Sequence, residues 1–309
     1  MIRYFHKTTN SNRIEELDKY RKGSWIYAIK PKESEIQELV DELDLDKGHL
    51  DDAMDSDELP RLEREDDQIY LFTRFIMMDD NHLLTTTPLL LILHPECLIT
   101  VSLDEIPNID KLVESNDDPG LLDPIKLTLQ LLNMIDLQFE EHLSDINKQI
   151  RATRTRLRVE EVRNQDFIDF VTIEDALDEF MTALTPMSSI LKRLLVGRHV
   201  KFHTKDRESL EDLLLNNEQS LANCRSNIKS IINIREAYST IMSNDLNRII
   251  RILTVVTVII SVPTLISSVY GMNVLLPLGQ NDIAFVILLV VSFVLSIALL
   301  WYFRFKRWL

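Results

Sequence analysis

Five hydroxyl side chains, Thr254, Thr257, Ser261, Thr264 and Ser268, follow one another at steps of three and four residues in a stretch without charge. At about 3.6 residues per turn, that spacing sets them on one stripe of a helix. Two kinds of chemistry suit such a stripe. The hydroxyls can hydrogen-bond to neighbouring helices or to the carbonyl four residues earlier, a common use of Ser and Thr in membranes. Alternatively, the row can line a wet path, and it is unbroken through the full depth of the stretch. One helix cannot enclose a hole, so this use requires several chains around an axis. The stretch closes on Tyr270, Gly271, Met272 and Asn273. Gly271 permits the backbone to leave helical geometry and expose carbonyls, while Gly-Met-Asn is also compatible with an ordinary C-cap and turn.

The elements that position these groups are legible in the hydropathy. Residues 252–272 and 283–303 are each 21 long and free of charge, and about 20 helical residues cross a ~30 Å hydrocarbon layer. Both read as transmembrane helices. Arg248 and Arg251 precede the first, Arg304, Lys306 and Arg307 follow the second, and the connecting loop has no basic residue. The positive-inside rule therefore places both ends in the cytoplasm of a multi-pass protein of the cell (inner) membrane. Trp301, Tyr302 and Trp308 occupy the place of an aromatic belt. The second span is apolar on every side, as suits a helix facing lipid.

Upstream, residues 1–123 alternate strand-like runs at 25–29, 69–77, 89–94 and 97–102 with helical patterns at 32–55, which reads as an α/β domain. His94-Pro95 fits a hairpin turn. Residues 124–251 read as a helical domain. Leu132, Ile135, Phe139, Leu143, Ile146, Ile150 and Leu157 keep helical spacing, a second helix runs from about 166 to 196 with a kink expected near Pro186, and Gly197 is a candidate C-cap. From Asp206 to Val262 there is no glycine or proline. One helix of about 65 residues, on the order of 100 Å long, would make the first span the end of a stalk. Residues 252–309 complete the chain as a transmembrane hairpin.

Charge divides along the same line. Residues 246–309 hold five basic side chains and one acid, net +4, leaving −19 for residues 1–245 of a total of −15. So acidic a body repels nucleic acid and attracts cations. Asp51, Asp52, Asp55, Asp57 and Glu58 are its densest acidic run, although a solvated face is the commoner meaning of such runs. Cys97 and Cys224 give no metal-ligand spacing or disulfide framework. The seven histidines form no cluster along the chain, and His199 and His203 straddle a helix end. No Walker-type loop, nucleophile elbow or H-E-x-x-H motif occurs, which argues against an enzyme and an organic cofactor.

Tyr270-Gly271-Met272-Asn273 at the end of the first of two C-terminal spans resembles the YGMN signature of CorA-type magnesium transporters. The likeness extends to SNDLNRIIRILT at 243–254, to Pro263-Thr264 and to the terminal RFKRWL. It extends less specifically to ELPRLEREDDQIYLF at 58–72 and CLITVS at 97–102. The resemblance implies a funnel-shaped homopentamer in the lipid bilayer, with the first span of each chain around a pore. Asn247, Leu253, Ser261, Thr264, Gly271 and Asn273 match the family's pore positions, and the stripe adds Thr257 and Ser268. Gly271, Met272 and Asn273 would form a selectivity filter of neutral oxygen acceptors suited to hydrated Mg2+. Ile250 and Leu253 would form an apolar constriction.

The implied activity is potential-driven influx of divalent cations, held closed by cytosolic Mg2+. No motif transfers the regulatory ligands, for which Asp51, Asp52, Asp55 and Glu236 are the candidates. One departure is plain. The family's external loop usually carries Glu soon after GMN, whereas VLLPLGQND has only Asp282, which leaves Co2+, Ni2+ or Zn2+ open as cargo. A membrane-tethered cytosolic sensor or scaffold, with the stripe as packing glue, is the alternative of another class.

Overall fold

The computed structural model describes residues 1–7, 14–79, 81–114, 123–156, 164–197, 202–274 and 283–306. Leu157, His199, Asp282, Arg307 and Trp308, and with them most of the loop after Asn273, lie outside the described residues. The chain divides into two compact units, Met1–Ile231 and Ile232–Leu309.

The first unit is built on a seven-stranded sheet. Its strands are β1 (Ile2–Lys7), β2 (Ile14–Leu17), β3 (Trp25–Ile29), β4 (Leu62–Glu65), β5 (Gln68–Met78), β6 (Leu84–Leu93) and β7 (Leu98–Ser102), in the order β2-β1-β3-β7-β6-β5-β4. Neighbours are antiparallel except β3 and β7, which run parallel from Trp25 opposite Leu98 to Ile29 opposite Ser102. The turn between β6 and β7 closes through paired backbone bonds between His94 and Cys97, where the His-Pro pair predicts it.

Both faces of the sheet are covered, which explains why β5, β6 and β7 read as nearly continuous apolar runs. Ile26, Ala28, Tyr70, Phe72, Leu90, Ile92, Ile99 and Val101 point to one side. There they meet Ile36, Leu39 and Leu43 of α1 (Glu33–Leu43) and Leu50 of α2 (Lys47–Asp52). Their alternate neighbours face α4 (Pro124–Arg156) and α5 (Asn164–Leu195), which follow the short α3 (Ile109–Glu114). Every described residue of the predicted α4 stripe is buried, from Leu132 to Ile150. Phe139 of α4 meets Phe180 of α5 edge to face at 5.2 Å. Gly197 adopts φ +72° and its N–H donates to Leu194 O at 2.9 Å, the left-handed helix end that glycine favours.

Strands β1, β2 and β4 escape the sequence reading. They are short and lie toward the edges, and in β2 and β4 the residues turned to solvent are charged, so neither gives an apolar run. Helix α6 spans Thr204–Tyr270 and continues through Pro263. It begins in the first unit, where Leu210, Leu213, Asn217, Leu221, Cys224 and Ile231 are buried, and it ends in the second. Asn217 Nδ2 donates to Leu184 O at 3.1 Å. Helix α7 (Ala284–Phe305) supplies the second apolar span.

A cavity of about 20 Å3 between β5, α4, α5 and α6 is lined by Thr73, Arg74, Asp136 and Asn217 among apolar side chains. Asp136 is 7% exposed. Burial, reinforced by Glu140, pushes its carboxyl up from 3.8 to about 6 against a hydrogen bond with Asn216. The fold thus prefers the protonated acid: the stabilisation is complete below about pH 4 and is lost as pH rises through about 6. Asp136→Asn is expected to flatten that decline and to raise stability near pH 7.5 by about 2 kcal/mol after allowance for solvent screening. Thermal unfolding of the detergent-solubilised chain across this range checks it, and a wild-type profile with no loss between those limits rejects it.

Candidate functional site

The second unit carries the hydroxyl stripe. Thr254, Thr257, Ser261, Thr264 and Ser268 are all exposed on the single chain. Four of these hydroxyls donate to the carbonyl four residues back. Thr254 bonds Ile250 O at 2.8 Å, Thr257 bonds Leu253 O at 2.8 Å, Ser261 bonds Thr257 O at 2.7 Å and Thr264 bonds Ile260 O at 2.9 Å. The local bonding open to Ser and Thr in an apolar helix is therefore realised. It spends each hydroxyl's proton on the helix and leaves oxygen lone pairs pointing outward. A stripe of acceptors faces away from the helix axis.

The stripe is also longer than its membrane part. On the uninterrupted helix, Glu236, Thr240, Ser243, Asn247 and Ile250 precede Thr254 at the same steps of four and three, and all are exposed. Glu236, Asn247 and Ile250 thereby join the hydroxyls in one line. Leu253 is 64% exposed and lies at the edge of this line, about 60° around the helix from Ile250 and about 40° from Thr257.

The opposite face has a different partner. Val255 is buried and Ile259, Val262 and Ile266 are half-buried. At ~100° per residue these positions centre about half a revolution from the stripe. Here Ser296 of α7 donates through Oγ to Ile259 O at 3.5 Å. The reason lies four residues on: Pro263 has no N–H, so the Ile259 carbonyl lacks its intrahelical donor. In hydrocarbon such a carbonyl needs another one. Ser296 supplies it, so α7 is bonded to the back of α6 and the stripe remains uncovered.

Helix α6 ends at Tyr270 and the chain turns at Gly271. Gly271 does not take the left-handed conformation that Gly23 and Gly197 adopt, and its N–H still donates to Ser267 O at 2.9 Å. A Cβ there would lie 3.2 Å from Ser267 O and 3.6 Å from Ser268 O, a tight contact that a shift of a few tenths of an ångström relieves. Met272 N donates to Val269 O at 3.3 Å in a looser closing turn. Gly271, Met272 and Asn273 are exposed at this end. The last carbonyls of any helix point beyond its terminus and carry the negative end of its dipole. With no basic residue in the last turn of α6, the field there favours a cation.

In the first unit the acidic run is drawn into a knot of arginines. Arg61 donates to Asp52 Oδ2 at 2.6 Å, to Glu63 Oε1 at 2.6 Å and to Glu58. Arg74 donates to Ser56 O at 3.0 Å and Glu58 O at 2.6 Å. Asp52 is thus held by a guanidinium, while Asp51 and Asp55 are exposed. Sequence spacing missed another grouping: the fold brings His49 beside Asp46 and Glu65, although no histidine stands in a metal-binding pattern along the chain.

The bond between the two helices is testable by a double-mutant cycle. Ser296→Ala is expected to cost about 0.6 kcal/mol in the native background. It should cost close to nothing beside Pro263→Ala, where a restored N–H satisfies Ile259. Unfolding of the four proteins in micelles measures the coupling, and strictly additive effects reject it.

The fold and the sequence both have relatives among known proteins. The sequence model of the CorA-like Mg2+ transporter proteins matches residues 21–307. The cobalt/magnesium transport protein CorA of Methanocaldococcus jannaschii is 25% identical over 302 residues, covering 92% of this chain and 91% of that one. The magnesium transport protein CorA of Helicobacter pylori is 27% identical over 185 residues, 58% of each chain. In structure, the complete CorA magnesium transporter from M. jannaschii superposes over 100% of this chain and 99% of that one, with TM-score 0.87 and 21% identity. The full-length CmaX protein covers 99% and 97%, with TM-score 0.76 and 16% identity. Since the sequence match runs through both units, the chain belongs to the CorA-like Mg2+ transporter protein family.

Proposed function

We propose that copies of this chain assemble as a homopentamer in the cell membrane, with both termini cytoplasmic, and pass Mg2+ along the uncovered stripe of α6. The observation that carries the reading is the division of α6 into a back bonded to α7 and a front of outward acceptors. Bound waters of a hydrated ion present hydrogens, and hydroxyl oxygens whose own protons are engaged are suited to receive them. Ile241, Met242, Leu246 and Ile249 are large, exposed and apolar although they precede the uncharged span. Contacts with further copies of α6 would cover them.

In this reading the ion meets Gly271, Met272 and Asn273 first. It binds there through neutral oxygens and the helix dipole, keeping most of its water, because Mg2+ dehydrates reluctantly. It then follows Ser268, Thr264, Ser261 and Thr257 to Leu253 and Ile250, an apolar constriction that closes by dewetting. Asn247 lies below it. Two charges crossing ~100 mV gain roughly 4.6 kcal/mol, which drives influx without a nucleotide. Cytosolic Mg2+ on carboxylates closes the path. Asp51, Asp55 and Glu236 are the better candidates for that role, since Asp52 is engaged by Arg61.

Liposomes loaded with a Mg2+-sensitive dye test the conduit. The purified chain is expected to give uptake above empty vesicles, and Asn273→Ala to reduce it roughly tenfold, the loss of about 1.4 kcal/mol. Equal uptake by variant and wild type removes Asn273 from the path, and no uptake by either removes the conduit. Closure is tested separately: millimolar Mg2+ is expected to slow proteolysis of the wild-type cytosolic unit several-fold, and less so in Asp51→Asn/Asp55→Asn. Proteolysis that ignores Mg2+ rejects regulation by these carboxylates.

A further inference from the structure

We propose that Asp46, His49 and Glu65 bind a borderline divalent cation of the Zn2+, Co2+ or Ni2+ kind, at a site in the first unit that does not depend on the transport reading. Each residue offers one ligand atom, and the three atoms lie within 4.8 Å of one another. Three acidic or imidazole groups near each other are common on protein surfaces. The imidazole here is not a surface group. His49 is 7% exposed, and its Nε2 is a buried polar atom without a hydrogen-bond partner. A nitrogen in that position is costly unless something occupies it. It points at carboxylates, with Glu65 Oε1 at 3.5 Å and Glu63 Oε2 at 3.7 Å.

The surrounding residues hold this geometry. The His49 ring packs on Tyr70, with centroids 4.3 Å apart, and more distantly on Phe72. The Tyr70 hydroxyl accepts the Asp46 N–H at 3.0 Å, and Asp46 Oδ1 accepts the His49 N–H at 3.2 Å. One tyrosine of β5 therefore packs on the imidazole and holds the Asp46 backbone, while the His49 N–H holds the Asp46 carboxylate. Gly48 leaves room for that carboxylate, because a Cβ there would lie 2.9 Å from Asp46 Oδ1. Glu63 is turned by Arg61, which takes its Oε1 and leaves Oε2 on the His49 side. Asp46 and Glu65 are exposed, so an ion can enter from solvent.

One neutral imidazole and two carboxylates make a three-ligand set with a position left for water. Imidazole favours Zn2+, Co2+ or Ni2+, whereas Mg2+ prefers oxygen alone. Bonds of about 2.1 Å set ligand atoms roughly 3–3.5 Å apart, so the exposed carboxylate tips need only close inward by a rotamer change. The rival occupant of Nε2 is a proton, which would pair His49 with Glu63 and Glu65.

Equilibrium dialysis of the full chain in detergent against Zn2+, with Mg2+ in large excess to fill oxygen-only sites, separates the two. The wild type is expected to retain one Zn2+ per chain more than His49→Gln. Glu65→Gln should weaken that ion by at least the roughly tenfold that even outer-shell substitutions cause. Zn2+ should also raise the Tm of the wild type and not that of His49→Gln. Equal Zn2+ retention by wild type and Glu65→Gln overturns the site, and that variant decides the matter should His49→Gln fail to fold, since its changed group is exposed. The readout is binding, so a failure of Mg2+ uptake leaves the result intact.

Discussion

A helix that carries polar groups through hydrocarbon must satisfy them from its own resources or from a neighbour. In α6 both solutions occur, on opposite faces. Hydroxyls on the front donate to their own helix, and the carbonyl left without a donor by Pro263 on the back is met by Ser296 of α7. This arrangement decides which side of α6 is closed and which is open. From Thr254 to Thr264 the front is a line of hydroxyl oxygens whose protons are engaged within the helix.

The first unit solves a different problem. A seven-stranded sheet with helices on both faces buries long apolar runs, and its acidic excess has to be kept outside that core. Arginine does part of this work: Arg61 and Arg74 bind the segment from Asp52 to Glu58 through side-chain and backbone acceptors. Arg61 also stacks on Phe72, with its guanidinium carbon 3.9 Å from the ring centroid, so the knot is anchored to the core. Its result is to neutralise some carboxylates and leave others, Glu65 and Asp46 among them, turned to solvent.

Much of this is legible in the amino-acid order where a single element contains the whole signal. The α4 stripe, the glycine-free run of α6, the two uncharged spans and the hairpin at His94 are local patterns, and each element forms where its pattern lies. Short strands with charged solvent-facing residues, such as β4 with Glu63 and Glu65, lack such a pattern because their partners across the sheet, not their own residues, make them strands.

The sequence by itself determined the periodic features: the hydroxyls at alternating steps of three and four, the chargeless spans, and the Gly-Met-Asn at their junction. These depend on neighbours within a turn or two, and helical periodicity alone brings them into register. Tertiary structure decided which face of α6 stays open, because that depends on where α7 docks. It likewise decided that His49 meets Glu65 across the gap between α2 and β4. Contacts of that kind join positions with no fixed spacing in the chain, so only packing around Tyr70 and Ile259 could bring them together.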